Sequence, residues 1–201
     1  MRDTTSNRRS KIFGIGLNKT GTTSLHAAVQ ALGFTSLHWG GLDGYRNIVR
    51  AYREGLPLLH HLPGDYDAIM DIGWLTANFH LADEQYPGSK FVLTTREIEG
   101  WLDSRQRHVE KNIERKAQGL YDGNFVTVDR TGWWHEYRTH HRKVLTYFAD
   151  RPDDLLVLDI CAGDGYEQLC PFLGLPVLDE PFPFQNRDRA ASTRQPQDAA
   201  G

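Results

Sequence analysis

Five short apolar runs, at residues 11–15, 34–38, 68–72, 91–95 and 155–158, recur along the 201-residue chain, and amphipathic segments separate them. The runs are rich in Ile, Val, Leu and Phe and too short for buried helices, which is how strands covered on both faces read. Helical patterns lie between and after them, at 22–32, 43–53, 75–85, 100–118, 133–149 and 166–173. In the first of these, Leu25, Val29 and Leu32 share one face and Gly33 supplies the stop. Strands that alternate with helices need crossover connections. The predicted fold is therefore α/β, with a central, mainly parallel sheet flanked by helices in three layers.

Length and composition bound the rest. The chain is long enough for one domain with a real core. Residues 1–10 are polar and 188–201 lack large apolar side chains; both are predicted to be disordered, leaving a single domain over 11–187. Residues 105–132 are highly charged and then glycine-rich, a pattern expected of a lid or insertion. A net charge of −3 gives no global attraction to nucleic acid or an anionic membrane, so anion recognition must be local. The amino-terminal MRDTTSNRRSK has no apolar h-region, and no run is long enough to span a bilayer. Cys161 and Cys170 make neither a disulfide framework nor a zinc cluster, and suit a reduced cytoplasmic protein.

The stretch GIGLNKTGTTSL, residues 14–25, joins the first predicted strand to the first helix. In such a sheet, ligands bind at the carboxyl ends of strands, and a loop leading into a helix offers backbone N–H groups and the positive end of the helix dipole. Gly16 and Gly21 let the backbone curl around an anion, Lys19 adds a full charge, and Thr20, Thr22, Thr23 and Ser24 add hydroxyls. A helix cap alone explains a Thr or Ser, but not a lysine and a Thr pair around a second glycine. The order is not G-x-x-x-x-G-K-[ST], because Lys19 precedes Gly21 by two residues.

The order K-T-G-T-T resembles instead the 5′-phosphosulfate loop of sulfotransferases that use 3′-phosphoadenosine-5′-phosphosulfate (PAPS), here of the small bacterial type, a family built on the P-loop fold. The resemblance implies that Lys19, Thr20, Gly21, Thr22 and Thr23 hold the 5′-phosphosulfate, with Asn18 and Ser24 at the ends of the same seat. It also implies a second seat, for the 3′-phosphate: a strand-terminal arginine with a serine eight residues on. KFVLTTREIEGWLDSRQRH supplies Arg96 and Ser104 at that spacing. An arginine fork matches phosphate geometry, and a helix serine can donate beside it. Two features depart from the animal enzymes: Ser24 stands where they carry an adenine-stacking tryptophan, and their late K-G-x-x-G-x-W-K segment is missing. PFPFQNR ends the ordered region instead, and Arg187 is a substitute 3′-phosphate contact or a surface residue. The product donor would be adenosine 3′,5′-bisphosphate.

Sulfuryl transfer needs in-line positioning, charge stabilisation and a base. Lys19 can stabilise the leaving phosphate oxygen. Asp71 ends a predicted strand on the same sheet edge and is the first candidate base; His38, after the second strand, is the next, followed by His60 and His61. Asp71 can alternatively cap the next helix or pair with Lys19. No metal-ligand spacing is apparent and the resemblance implies no metal. Trp74, Trp101, Trp133 and Trp134 can line an acceptor pocket or pack a core. The acceptor expected is a small molecule with a hydroxyl or amine; oligomeric state is not encoded. A rival motif, LDICAGDG, mimics the first motif of S-adenosylmethionine methyltransferases through Asp159, Gly163 and Gly165, but it closes the chain rather than opening a sheet. A P-loop small-molecule kinase and a non-catalytic binder of adenosine 3′,5′-bisphosphate are two further rivals.

Overall fold

A computed structural model of the chain describes residues 10–184; Arg187 and the two terminal segments read as disordered, apart from Ser10, lie outside the described residues. Five strands form one sheet: β1 (Ile12–Gly14), β2 (Ser36–His38), β3 (Ala68–Met70), β4 (Lys90–Thr94) and β5 (Leu155–Leu158). All are parallel, in the order β2-β3-β1-β4-β5. Seven α-helices are described: α1 (Thr22–Ala31), α2 (Gly41–Arg53), α3 (Gly73–Ala77), α4 (Phe79–Gln85), α5 (Ile98–Ala117), α6 (Arg130–Tyr147) and α7 (Tyr166–Phe172).

Period-two alternation divides the sheet between two cores. Ile12, Ala68, Met70 and Val92 pack with Leu25, Ala28 and Val29 of α1 and with Leu169 and Cys170 of α7. Phe13, Ile69, Phe91 and Leu93 face the other way, against Ile48 of α2, Leu75 of α3, Phe79 of α4 and Val144 of α6, with Phe148 just beyond it. The result is three layers. A third, smaller cluster joins Leu17 of the first loop to Trp101, Leu102 and Val109 of α5 and Trp133 and Tyr137 of α6.

Two elements differ from the sequence reading for local reasons. The helix expected over 75–85 is broken at Asn78, whose side-chain amide donates to the Trp74 carbonyl at 2.8 Å and so competes with the backbone ladder. The charged segment expected as a lid begins as ordinary helix: α5 runs unbroken to Ala117 and buries Arg105, Val109 and Asn112. Gly33, at φ 83°, closes α1 with Phe34 N–H donating to Val29 O at 3.0 Å and its own N–H to Gln30 O at 2.9 Å, a Schellman ending.

This topology fixes where ligands go. The chain leaves β1 toward β2 on one side and leaves β4 toward β5 on the other. Adjacent strands whose connections diverge open a crevice at their carboxyl ends. The loop after β1 and the Arg96 corner after β4 flank that crevice.

Candidate active site

The first loop is built on a close approach between β1 and β4. A Cβ on Gly16 would lie 1.9 Å from Thr94 Oγ1 and 2.5 Å from its carbonyl oxygen, so only glycine fits there. The Thr20 hydroxyl is fully buried, bonded to Leu17 O at 2.6 Å and to Thr94 Oγ1 at 2.7 Å. Thr20 is therefore the floor of the loop rather than part of its open surface. Helix α6 supports the loop from below: His140 Nε2 contacts Ile15 O at 2.7 Å, and Trp101 Nε1 of α5 donates to Asn18 O at 2.8 Å.

Above this floor, Asn18, Lys19 and Thr23 are half-buried in and after the turn, while Thr22 and Ser24 are buried in the first turn of α1. Gly21, at φ 103°, leads into α1 and gives it no side-chain cap. The donor set gathered there is an ammonium, hydroxyls and helix-N-terminal amides, which suits a multiply charged oxyanion. Asn18 Oδ1 is buried without a partner.

Among the described residues, three other than glycine have left-handed backbone: Lys19 (φ 70°), Trp39 (φ 62°) and Asp71 (φ 61°). They follow β1, β2 and β3, three neighbouring strands, on one edge of the sheet. Such residues are strained by roughly 1–2 kcal/mol each, and strain of this kind gathers at functional sites. Trp39 is 59% exposed, held by its N–H to Met70 O at 2.9 Å.

Asp71 and His38 meet here. His38 Nε2 lies 3.3 Å from Asp71 Oδ2 and 3.2 Å from Thr22 Oγ1, and the two side chains are 19% and 20% exposed. Burial pushes the Asp71 carboxyl up to about 6, opposed by the Lys19 charge. Burial pulls His38 down to about 4, with the neighbouring His26 adding repulsion. At neutral pH the contact is thus a neutral imidazole against a carboxylate, not an ion pair. His26 is itself tied to Ser36 Oγ at 2.8 Å.

The second corner follows β4. Arg96 is half-buried there, and the absence of a side chain at Gly100 leaves room for its guanidinium, since a Cβ would lie 3.3 Å from Arg96 Nε. Glu97 caps α5 by accepting from Glu99 N and Gly100 N at 2.9 and 2.7 Å, and Ser104 is half-buried in the second turn. Tyr137 of α6 fixes the corner: its hydroxyl donates to Arg96 O at 2.5 Å and shares a hydrogen bond with Thr95 Oγ1 at 2.8 Å, while His141 Nε2 reaches the same Thr95 oxygen at 3.0 Å.

The remaining sequence candidates separate from this edge. His60 lies beside a cavity of about 400 Å³ with Lys11, Tyr66 and Tyr86, at the amino end of the sheet, and His61 pairs with Glu54 at 2.6 Å. Trp101 and Trp133 are buried in the third cluster and so are packing, not pocket walls. Trp74 packs on Tyr52 with the rings tilted by 50° and their centroids 5.0 Å apart, and Trp134 lines a shallow hollow of about 260 Å³ with Glu99 and Arg130. Sequence reasoning missed Trp39, His26, Tyr137, His140 and His141. Only the WGG following His38 carries a local signal, a tryptophan before two glycines; the α6 residues act across more than forty positions of sequence.

The LDICAGDG turn is closed on itself. Asp159 N donates to Asp164 Oδ2 at 2.7 Å, Ala162 N to Asp159 Oδ1 at 3.0 Å, and Gly165 N to Gln168 Oε1 at 2.8 Å. It follows β5, an edge strand with no later strand among the described residues.

Comparison with known proteins identifies the family of the whole chain. The family model for the sulfotransferase domain matches residues 11–123 and 112–191. The Ava biosynthesis cluster protein M of Aspergillus versicolor is 26% identical over 212 aligned positions, which cover 86% of this chain and 79% of that protein. With its all-parallel α/β sheet and a family match over nearly its whole length, the chain belongs to the sulfotransferase domain family.

Proposed function

We propose that the chain transfers a sulfuryl group from PAPS to a hydroxyl or amine of a small molecule, with Asp71 as base. The observation that carries this is the meeting of Lys19, His38 and Asp71, two of them left-handed, on the carboxyl edge beside the anion-shaped loop. PAPS supplies an activated sulfonate and a phosphate leaving group. Lys19 and the amides at the start of α1 bind and orient the 5′ end, with Thr22, Thr23 and Asn18; Arg96 and Ser104 hold the 3′-phosphate. As the acceptor oxygen forms its bond to sulfur and the sulfur–oxygen bond to the phosphate breaks, the acceptor proton passes to Asp71 Oδ, and Lys19 balances the charge left on the phosphate. His38, neutral and protonated on Nε2, orients the Asp71 carboxylate against Thr22.

A carboxyl near pH 6 is ionised at neutral pH yet basic enough to take a proton, which suits the role. A relative named for a biosynthesis cluster is compatible with a small-molecule acceptor. The free thiols of Cys161 and Cys170 suit the cytoplasm.

The test is a thermal-shift panel of adenosine 3′,5′-bisphosphate, adenosine 5′-monophosphate, ATP with magnesium, and S-adenosylmethionine. The bisphosphate should stabilise most. Arg96→Ala should reduce its affinity by about 2 kcal/mol and leave the monophosphate nearly unaffected. Stronger stabilisation by ATP or S-adenosylmethionine would replace this reading with a kinase or a methyltransferase. Bisphosphate binding without any sulfuryl transfer would leave a binder.

A further inference from the structure

Helix α5 carries its charges in separate stripes. With 3.6 residues per turn, Ser104, His108, Lys111 and Arg115 fall on one face. Glu99, Asp103, Glu110 and Glu114 fall on another, where Arg130 reaches Glu99 and Asp103 at 3.0 and 2.8 Å. Trp101, Leu102, Arg105, Val109 and Asn112 are the buried stripe between them.

The cationic face adjoins the first loop. Trp101 donates to Asn18 O, and Leu17 packs with Leu102 and Val109, so α5 is anchored along the turn that bears Lys19. His108 is half-buried there with its ring 5.8 Å from that of Phe125, and it feels the positive charges of Lys19, Lys111, Arg115 and Arg105. Lys111 and Arg115 are exposed and have no ion-pair partner among the described residues; Arg115 donates to Leu120 O at 3.2 Å and lies over the Tyr121 ring.

The transferase reading, on which this inference rests, gives the stripe a direction. Ser104 belongs to the 3′-phosphate end of the donor and Lys19, near His108, to its sulfonate end. Lys111 and Arg115 continue past the point of transfer, away from the donor.

We infer that the α5 face formed by His108, Lys111 and Arg115 is an acceptor-docking surface selecting acceptors that carry a carboxylate or phosphate. Lys111 and Arg115 stand about 4.5 and 10.5 Å along the helix from His108, so the face offers an acceptor two cationic contacts beyond that residue. The positive charge is local, in a chain whose net charge is −3.

The experiment uses pairs of alcohol and phenol acceptors, each as the carboxylate and as its neutral carboxamide, with the full chain and PAPS, beside calorimetric titration of the same compounds into protein saturated with adenosine 3′,5′-bisphosphate. The carboxylate members should win by tenfold or more in kcat/KM, chiefly through KM, or in calorimetric affinity where turnover is slow. Raising the salt should shrink the preference. Lys111→Gln with Arg115→Gln should bring the ratio close to one while the bisphosphate affinity holds. Equal use of both members, no binding of either, or a preference that survives the double variant would overturn the inference. A loss of bisphosphate affinity in the double variant would also overturn it, by giving the stripe to the donor. If the wild-type chain binds no bisphosphate, it is the transferase reading itself that fails.

Discussion

Two loops of this chain look alike in sequence and differ in what they leave open. GIGLNKTGTTSL and LDICAGDG each carry a strand through a glycine turn into a helix. In the second, the turn's own acids accept from its amides, Asp164 from Asp159 N and Asp159 from Ala162 N, and Gln168 accepts from Gly165 N. In the first, the inward hydroxyl of Thr20 ties the floor to Thr94, α1 starts without a side-chain cap, and no acid stands in the turn. Acidic residues satisfy a glycine turn from within and exclude an anion; a lysine and hydroxyls leave the same geometry to be satisfied by a ligand. Glycine spacing alone does not separate the two cases.

The difference between the loops can be broken most sharply by rate. Asp71→Asn should lower sulfuryl transfer by about 10²–10⁴-fold with donor affinity kept, and Lys19→Ala by about 10²–10³-fold, whereas Asp164→Ala should leave the turnover of folded protein unchanged. Stopped assays on purified variants, corrected for folded fraction, decide this; wild-type turnover in Lys19→Ala would erase the distinction between the loops.

Stability gives the next contrast, and its sign runs against intuition. The Asp71 carboxyl is raised to about 6, so the folded state holds that proton more tightly than the unfolded state does. Its stabilising contribution is fully present below the ordinary carboxyl pKa of about 3.8 and is lost as pH rises toward about 6. Asparagine removes the ionisation penalty and also tolerates φ 61° well. Asp71→Asn should therefore melt higher than wild type at pH 7–8, by about 1–3 kcal/mol, and show little gain at pH 3.5. A variant that melts lower at pH 8 would make Asp71 a structural ion-pair partner of Lys19. In wild type, transfer should rise with pH through about 6 and then level off.

A third contrast concerns the glycines themselves. Gly16→Ala forces a Cβ against Thr94 and should cost about 1–3 kcal/mol. Gly163→Ala meets nothing within 4 Å and should cost only its backbone strain at φ 118°, about 1–3 kcal/mol. Denaturant midpoints measure both. The smallest effect expected is that of Asp164→Ala, about 1 kcal/mol for one amide hydrogen bond lost in a solvated turn; a loss as large as that of Gly16→Ala would mean that the second loop is as tightly constrained as the first.

Much of this architecture was legible in the sequence because it is local. The five apolar runs mark the strands to within two residues, Gly33 ends its helix, and the order of Lys19, Gly21 and the threonines points to the anion loop. What was hidden is long-range. Trp101 looks like a pocket aromatic until its indole is seen bonded to Asn18 O, and Thr20 looks like a ligand until its hydroxyl is found facing Thr94. The support from Tyr137, His140 and His141 depends on α6 lying beneath β1 and β4, which no spacing within α6 announces. Asn78 is the one local miss, a polar side chain that competes for its own helix.

The three left-handed residues on the sheet edge have a consequence for anyone who evolves this protein in the laboratory. Selection for heat resistance alone would favour glycine or asparagine at positions 19, 39 and 71, because those residues adopt a positive φ with less strain. On the proposed roles of Lys19 and Asp71, the hardiest descendants of such a lineage would be the inactive ones, so a screen for this chain has to score product formation alongside survival.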